Sequence, residues 1–303
     1  MRRPDLQAAL VTAVAPVAWG STYYVTRQFL PADAPLWGAA VRAVPAGLVL
    51  LAVARALPRG SWWWRAGVLG VLNVGVFFLL VYVAAQRLPS SIAAVVMAAA
   101  PLVMAAMAWA LHGDRPRARA VAAAVVGLVG VVLVVEGARG EVDALGLGAS
   151  LAALLSSSLG FVLARRWSAV HPVPVVASTA WQLLAGGGAL VVVAAVADGA
   201  PPVPSAVEAA AFAYVSLVAT ALAFVCWFVG LARLDVASVG VVGLLNPVTG
   251  VLLGTLLAAE HLSLPQLVGV AVVLGAVAVA TGRSGRAAGP RAETGSSVAT
   301  GAS

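Results

Sequence analysis

Nine stretches of this chain carry no Asp, Glu, Lys or Arg: 6–26, 66–86, 88–113, 120–135, 144–164, 167–197, 209–232, 236–259 and 261–282. A tenth, 34–54, is interrupted only by Arg42. A helix rises about 1.5 Å per residue, so about 20 apolar residues cross the hydrocarbon core of a bilayer. The windows average close to that length; 120–135 reaches it once Arg119 and Glu136 are placed in the headgroup layer. A water-soluble fold cannot bury so many such segments: 62% of the 303 residues are apolar and 10% charged, against about 25% charged in soluble domains. The expected fold is an all-α integral membrane protein of ten transmembrane helices. They are expected at 7–27, 34–57, 64–86, 91–111, 118–137, 145–166, 173–197, 208–231, 236–258 and 264–282.

The basic residues set the orientation. All 18 Lys-plus-Arg positions are Arg. With a cytoplasmic N-terminus and ten spans, the cytoplasmic segments hold Arg2, Arg3, Arg55, Arg59, Arg65, Arg115, Arg117, Arg119, Arg165, Arg166, Arg233, Arg283, Arg286 and Arg291. The outer loops hold only Arg27, Arg87 and Arg139. This is the asymmetry of the positive-inside rule, with both termini in the cytoplasm. The net charge of +7 therefore reads as topology and contact with anionic lipid in the cytoplasmic membrane. No clustered basic face with base-reading elements points to nucleic acid. The apolar run after Arg3 reads as a retained first span rather than a cleaved signal. Residues 283–303, rich in Gly, Ser, Ala and Thr, read as a disordered cytoplasmic tail. Cys226, the single cysteine, sits in an apolar run and reads as a packing residue.

The chain also repeats itself. At an offset of 146, Arg87-Leu88 falls on Arg233-Leu234, Pro101 on Pro247 and Asp114 on Glu260. At an offset of 140, Gly20 falls on Gly160, Arg42 on Gln182 and Gly47 on Gly187. Five helices is an odd number, so the second copy enters the membrane upside down. The expected organisation is two inverted five-helix repeats, 1–140 and 141–282, an arrangement recurrent in secondary transporters.

With Trp19-Gly20-Ser21-Thr22, Arg42, Pro101 through Gly113-Asp114, Thr179 through Gly187, and Asn246-Pro247 through Glu260 in these places, the chain resembles the drug/metabolite transporter superfamily, EamA type. The family usually has Gly-Glu where this chain has Gly113-Asp114 and Ala259-Glu260. The resemblance covers about residues 6–282. It implies export or exchange of a small metabolite, such as an amino acid or related organic compound, across the cytoplasmic membrane. No cofactor is expected, the resemblance does not fix the substrate, and multidrug efflux is the alternative cargo class.

Arg42 is the sharpest candidate for the substrate site. Eight residues into its span it lies about 12 Å deep, where a charge is expensive and marks a polar interior or pathway. It is read either as a positive patch for an anionic or zwitterionic ligand or as a structural Arg tying helix carbonyls. Gln182 occupies the matching place in the second copy. Trp19 and Ser21 in the first span, Asn73 in the third, Ser156 to Ser158 in the sixth, Trp181 beside Gln182, and Asn246 complete the candidates. Pro101 and Pro247 are hinge candidates, since a proline removes one helix hydrogen bond and kinks the helix. The run Trp62-Trp63-Trp64 is expected in the interfacial aromatic belt. Gly250-x-x-x-Gly254 permits close helix contact, inside the chain or at a homodimer seam.

Other function classes fit less well. His112, His171 and His261 lie at span ends with no metal-ligand spacing, and no Gly-x-Ser-x-Gly elbow occurs, so neither a membrane enzyme nor a metal site is expected. A channel calls for a repeated filter or charge ring, which is not seen. No carboxylate falls at mid-membrane depth, which favours facilitated movement or coupling through the interfacial Asp114 or Glu260.

Overall fold

The computed structural model describes residues 3–31, 34–88, 96–134, 143–258 and 263–281. Among these residues every regular element is helical. The first half holds α1 (Arg3–Phe29), α2 (Pro35–Ala54), α3 (Trp62–Gly70), α4 (Val76–Arg87), α5 (Ala100–His112) and α6 (Ala118–Val134). The second holds α7 (Ala144–Val170), α8 (Val175–Ala197), α9 (Ala206–Ser216), α10 (Ala223–Arg233), α11 (Val236–Val242), α12 (Leu245–Ala258) and α13 (Leu264–Thr281). Two of the joints are π-helical turns: Val71–Gly75 carries α3 into α4, and Leu217–Leu222 carries α9 into α10.

Six stretches are long and apolar enough to cross a membrane: Leu6–Thr26, Pro35–Ala54, Trp62–Ala84, Ala144–Val170, Val175–Ala197 and Ala206–Arg233. Four shorter apolar helices, Ala100–His112, Ala118–Leu133, Ser238–Thr249 and Leu264–Ala280, fall where the other expected spans lie. The helix ends obey ordinary capping chemistry. Asp143 accepts from the Gly146 amide at 2.6 Å and Asp235 from the Ser238 amide at 2.9 Å. Ser205 and Glu208 form a reciprocal capping box. Gly113, at φ 71°, closes α5 in the left-handed conformation that a Cβ disfavours.

Packing follows the small residues. α2 lies along α8, where Gly47 meets Leu183 and Leu184, and Gly187 meets Ala43 and Val44. α6 lies along α13, with Gly130 against Val272 and the carbonyl of Gly269. α1 packs on α10 as α4 packs on α7, and α1 meets α12 as α7 meets α5. These pairs interchange when each first-half element is exchanged for its second-half counterpart. The outer faces of α6 and α13 expose Val125, Val129, Val132, Leu267, Leu274 and Val279.

The chain breaks just ahead of Pro101 and Pro247, whereas Pro16 and Pro45 lie inside the unbroken α1 and α2. A turn at Ala99 precedes α5, which places Pro101 in the first turn of a restarted helix. A turn at Gly243 and Leu244 precedes α12, whose third residue is Pro247. A proline in a first turn loses no hydrogen bond, because that amide has no intrahelical partner. One expectation is corrected. Trp63 and Trp64 are exposed, but Trp62 is buried against Trp181, ring centroids 5.8 Å apart. Arg27, Arg139, Glu260, His261 and the tail from residue 283 lie outside the residues described in full, as do the surroundings of Gly250 and Gly254.

Candidate functional site: an aromatic cavity with one arginine

A central cavity of about 120 Å3 lies between the halves. Its first-half wall comes from Trp19, Thr22 and Thr26 of α1, Gly38 and Arg42 of α2, Phe77, Phe78 and Tyr82 of α4, and Met104 of α5. Its second-half wall comes from Ser157, Ser158 and Phe161 of α7, Trp227 of α10, and Gly240, Asn246 and Pro247 of α11 and α12. Aromatic rings dominate. Trp19 tilts against Trp227 at 5.1 Å, and Phe161 lies 5.6 Å from the same indole. Arg42 is the charged residue of the described lining.

A guanidinium stripped of water must be hydrogen-bonded. Arg42 Nε donates to Thr220 Oγ1 at 2.7 Å and Nη2 to the carbonyl of Ala219 at 3.2 Å. Its Cζ lies 4.5 Å from the centre of the Phe78 ring, a cation–π contact. Both acceptors belong to the π turn of the second half. Trp19 Nε1 donates to the same Ala219 carbonyl at 3.0 Å. Ser158 Oγ and Trp227 Nε1, on cavity-lining residues, are buried without a hydrogen-bond partner among the described residues.

The cavity brings together Trp19, Arg42, Ser157, Ser158, Asn246 and Pro247 from the sequence candidates. It leaves others out. Gln182, 2% exposed, accepts from Asn73 Nδ2 at 2.9 Å and donates to the Ser178 carbonyl at 3.1 Å. Asn73 is equally buried, its other face set against Gly160, so the two amides are committed to each other rather than to the cavity. Trp181 donates to the Ala56 carbonyl at 2.8 Å, just past the end of α2, where helix carbonyls lack partners. Ser21 pairs with the Tyr214 hydroxyl at 2.6 Å, and Ser156 with the Leu72 carbonyl at 2.8 Å. Pro101 is buried at the start of α5 against Gly240. Sequence reasoning missed Thr220, Phe78, Phe161 and Trp227; no spacing singles them out.

A bundle of apolar, membrane-length helices around a central cavity defines a multi-pass membrane protein. The sequence profile of the EamA-like transporter family matches residues 6–136 and again 144–282, and the chain belongs to that family. It is 36% identical over 265 residues to Protein PecM of Dickeya dadantii, covering 88% of this chain and 89% of that one. It is 30% identical over 271 residues to the uncharacterized inner membrane transporter YedA of Escherichia coli K12, covering 88% and 87%. A solved crystal structure superposes with a TM-score of 0.77 over 91% of this chain and 98% of the other; at 24% identity it speaks for the fold alone. The chain is a membrane transporter of small molecules in the cytoplasmic membrane.

Proposed function

We propose that the protein exports or exchanges a small organic metabolite, an amino acid or a related compound, by alternating access around the central cavity. The observation that carries this is the cavity itself, walled by both halves and furnished with Arg42 as its charge. A guanidinium as the charged group of the described lining favours anionic, zwitterionic or neutral cargo and disfavours cationic drugs, so the multidrug reading ranks second. The transporter relatives and the cavity favour transport over membrane-bound catalysis.

The frame of this reading is ten spans in two inverted halves with both termini in the cytoplasm. The exchange symmetry of the helix contacts, the two profile matches and the π turns 146 residues apart support the repeat. The arginine distribution supports the orientation. In that orientation Thr26, Leu30, Gly38 and Tyr82 lie toward the outer surface, so the cavity opens outward. The opposite side is tied shut. Arg117 pairs with Asp235 at 3.1 Å, Arg165 donates to the Leu231 and Leu234 carbonyls, and Ser238 donates to the Ala280 carbonyl. The breaks ahead of Pro101 and Pro247 are the proposed hinges.

The test is a thermal-shift screen of the purified protein against a metabolite library, followed by counterflow in proteoliposomes. The expected result is stabilisation by small acids, zwitterions or neutral compounds, with exchange of the same compounds. Exchange of organic cations alone would overturn the assignment of cargo. Reversing the Arg117–Asp235 pair supplies a second prediction. Arg117→Asp alone is expected to raise labelling of a Ser157→Cys reporter, in a Cys226→Ala background, by an impermeant maleimide on the cytoplasmic side. Adding Asp235→Arg is expected to restore the low level. Equal labelling in all three proteins would show that the pair does not hold the cytoplasmic side closed.

A further inference from the structure

We propose that Thr220 is a positioning residue for transport: the π turn Leu217–Leu222 lifts its hydroxyl and the Ala219 carbonyl toward α2, and these two groups aim the Arg42 guanidinium in the cavity. The proposal rests on the cavity being the substrate site.

A π turn inserts one residue into a helix and displaces carbonyls from their usual i+4 amides, which leaves them available to side chains. Here both displaced features are used. Thr220 Oγ1 donates to the Val215 carbonyl five residues back, at 2.7 Å, and so closes the widened turn on itself. The same oxygen accepts from Arg42 Nε. The hydroxyl proton is committed to Val215, so the lone pairs face the guanidinium and the polarity is fixed. The Ala219 carbonyl takes Nη2, and the Phe78 ring covers a guanidinium face. Thr220 is fully buried, so no solvent competes for it. With Nε and Nη2 held on one side, the plane of the guanidinium is set relative to the cavity wall.

The first half supplies an internal control. Its π turn, Val71–Gly75, sits 146 residues earlier and is also tied across to the other half. Asn73 in the turn reaches Gln182, the residue at the place of Arg42, and Ser156 takes the Leu72 carbonyl as Trp19 takes that of Ala219. The ties are analogous but shifted by one residue, since Asn73 aligns with Ala219 and Leu72 with Val218; the pair is neutral, and Asn73 Oδ1 is buried without a hydrogen-bond partner among the described residues. One π turn therefore aims a charge and the other only fastens two helices.

The test compares wild type, Thr220→Val, which keeps the shape and loses the hydroxyl, and Thr220→Ser, which restores it. Benzoate serves as a carboxylate probe with an apolar body, its binding followed by tryptophan fluorescence of the full-length protein. Hydrogen exchange over 215–223 and 69–77 is read in the same samples without ligand. Thr220→Val is expected to weaken benzoate binding about tenfold, the loss of one charge-assisted contact. Exchange is expected to rise over 215–223 and not over 69–77, with Thr220→Ser close to wild type in both measurements. Thr220→Val binding benzoate as wild type does, or Thr220→Ser failing to rescue, would overturn the positioning role. Should wild type bind no benzoate, the reading of the cavity's charge fails, and exchange decides the positioning role: unchanged exchange over 215–223 in Thr220→Val overturns it.

Discussion

Gly186→Val is expected to destabilise the protein severely, while Gly188→Val, two residues along the same helix, leaves it nearly unchanged. A Cβ at Gly186 would sit 2.2 Å from the Gly70 carbonyl oxygen and 2.7 Å from Val74 Cβ. The reciprocal contact is as tight: a Cβ at Gly70 would lie 2.7 Å from the Gln182 carbonyl oxygen and 2.8 Å from the Gly186 amide nitrogen. Backbone meets backbone, so no rotamer change relieves the clash and α3 must move off α8. Overpacking costs up to about 3 kcal/mol where neighbours adjust, and rigid backbone places this site at that limit or beyond. Lipid offers no hydrophobic drive to push the helices back together, because close approach of small residues is itself what holds membrane helices. At Gly188 none of the described residues comes within 4 Å of the added Cβ. Thermal melting of the detergent-solubilised proteins reads the difference. Melting of both variants with wild type would mean that α3 and α8 do not touch as described.

The same crossing explains what could be read in the sequence. Absence of charge accumulates over some twenty residues, so the helices announce themselves: the windows 144–164 and 209–232 sit inside the helical stretches Ala144–Val170 and Ala206–Arg233. The breaks near Pro101 and Pro247 were only half legible: a proline permits a kink, but Pro16 and Pro45 sit inside the unbroken α1 and α2. The direction a side chain faces was not. In water the polar side of a helix marks its exposed face; in lipid both faces are apolar and no period of 3.6 residues survives. Arg42 was visible because a charge stands out against such a background. Trp181 and Gln182 looked equally promising by position, yet one seals the end of α2 and the other is spent on Asn73. The π turns were hidden altogether, since Val71–Gly75 and Leu217–Leu222 differ in sequence at every position of the register and share only their place in the fold.

That leaves Arg42 itself, where the structural and the binding reading make opposite predictions. Arg42→Leu is expected to reduce transport of an anionic or zwitterionic cargo about a hundredfold, the scale of losing charge-assisted hydrogen bonds to the ligand, without lowering the melting temperature. The second half of that statement follows from what the substitution leaves behind. The Ala219 carbonyl keeps Trp19 as donor, and the Thr220 hydroxyl keeps the Val215 carbonyl as acceptor. Neither of these two groups is left without a partner, and the leucine removes the cost of holding a charge out of water; such exchanges of buried ions for apolar groups are often neutral or stabilising. Arg42→Lys is expected to fall between the two. An ammonium keeps the charge but cannot bond Thr220 and Ala219 in one plane while stacking on Phe78. Transport at the wild-type level in Arg42→Leu would remove the guanidinium from the binding site. A protein that melts early or fails to accumulate would instead make Arg42 a clamp between α2 and the second π turn, with the aromatic walls of Trp19, Phe161 and Trp227 left to recognise the cargo.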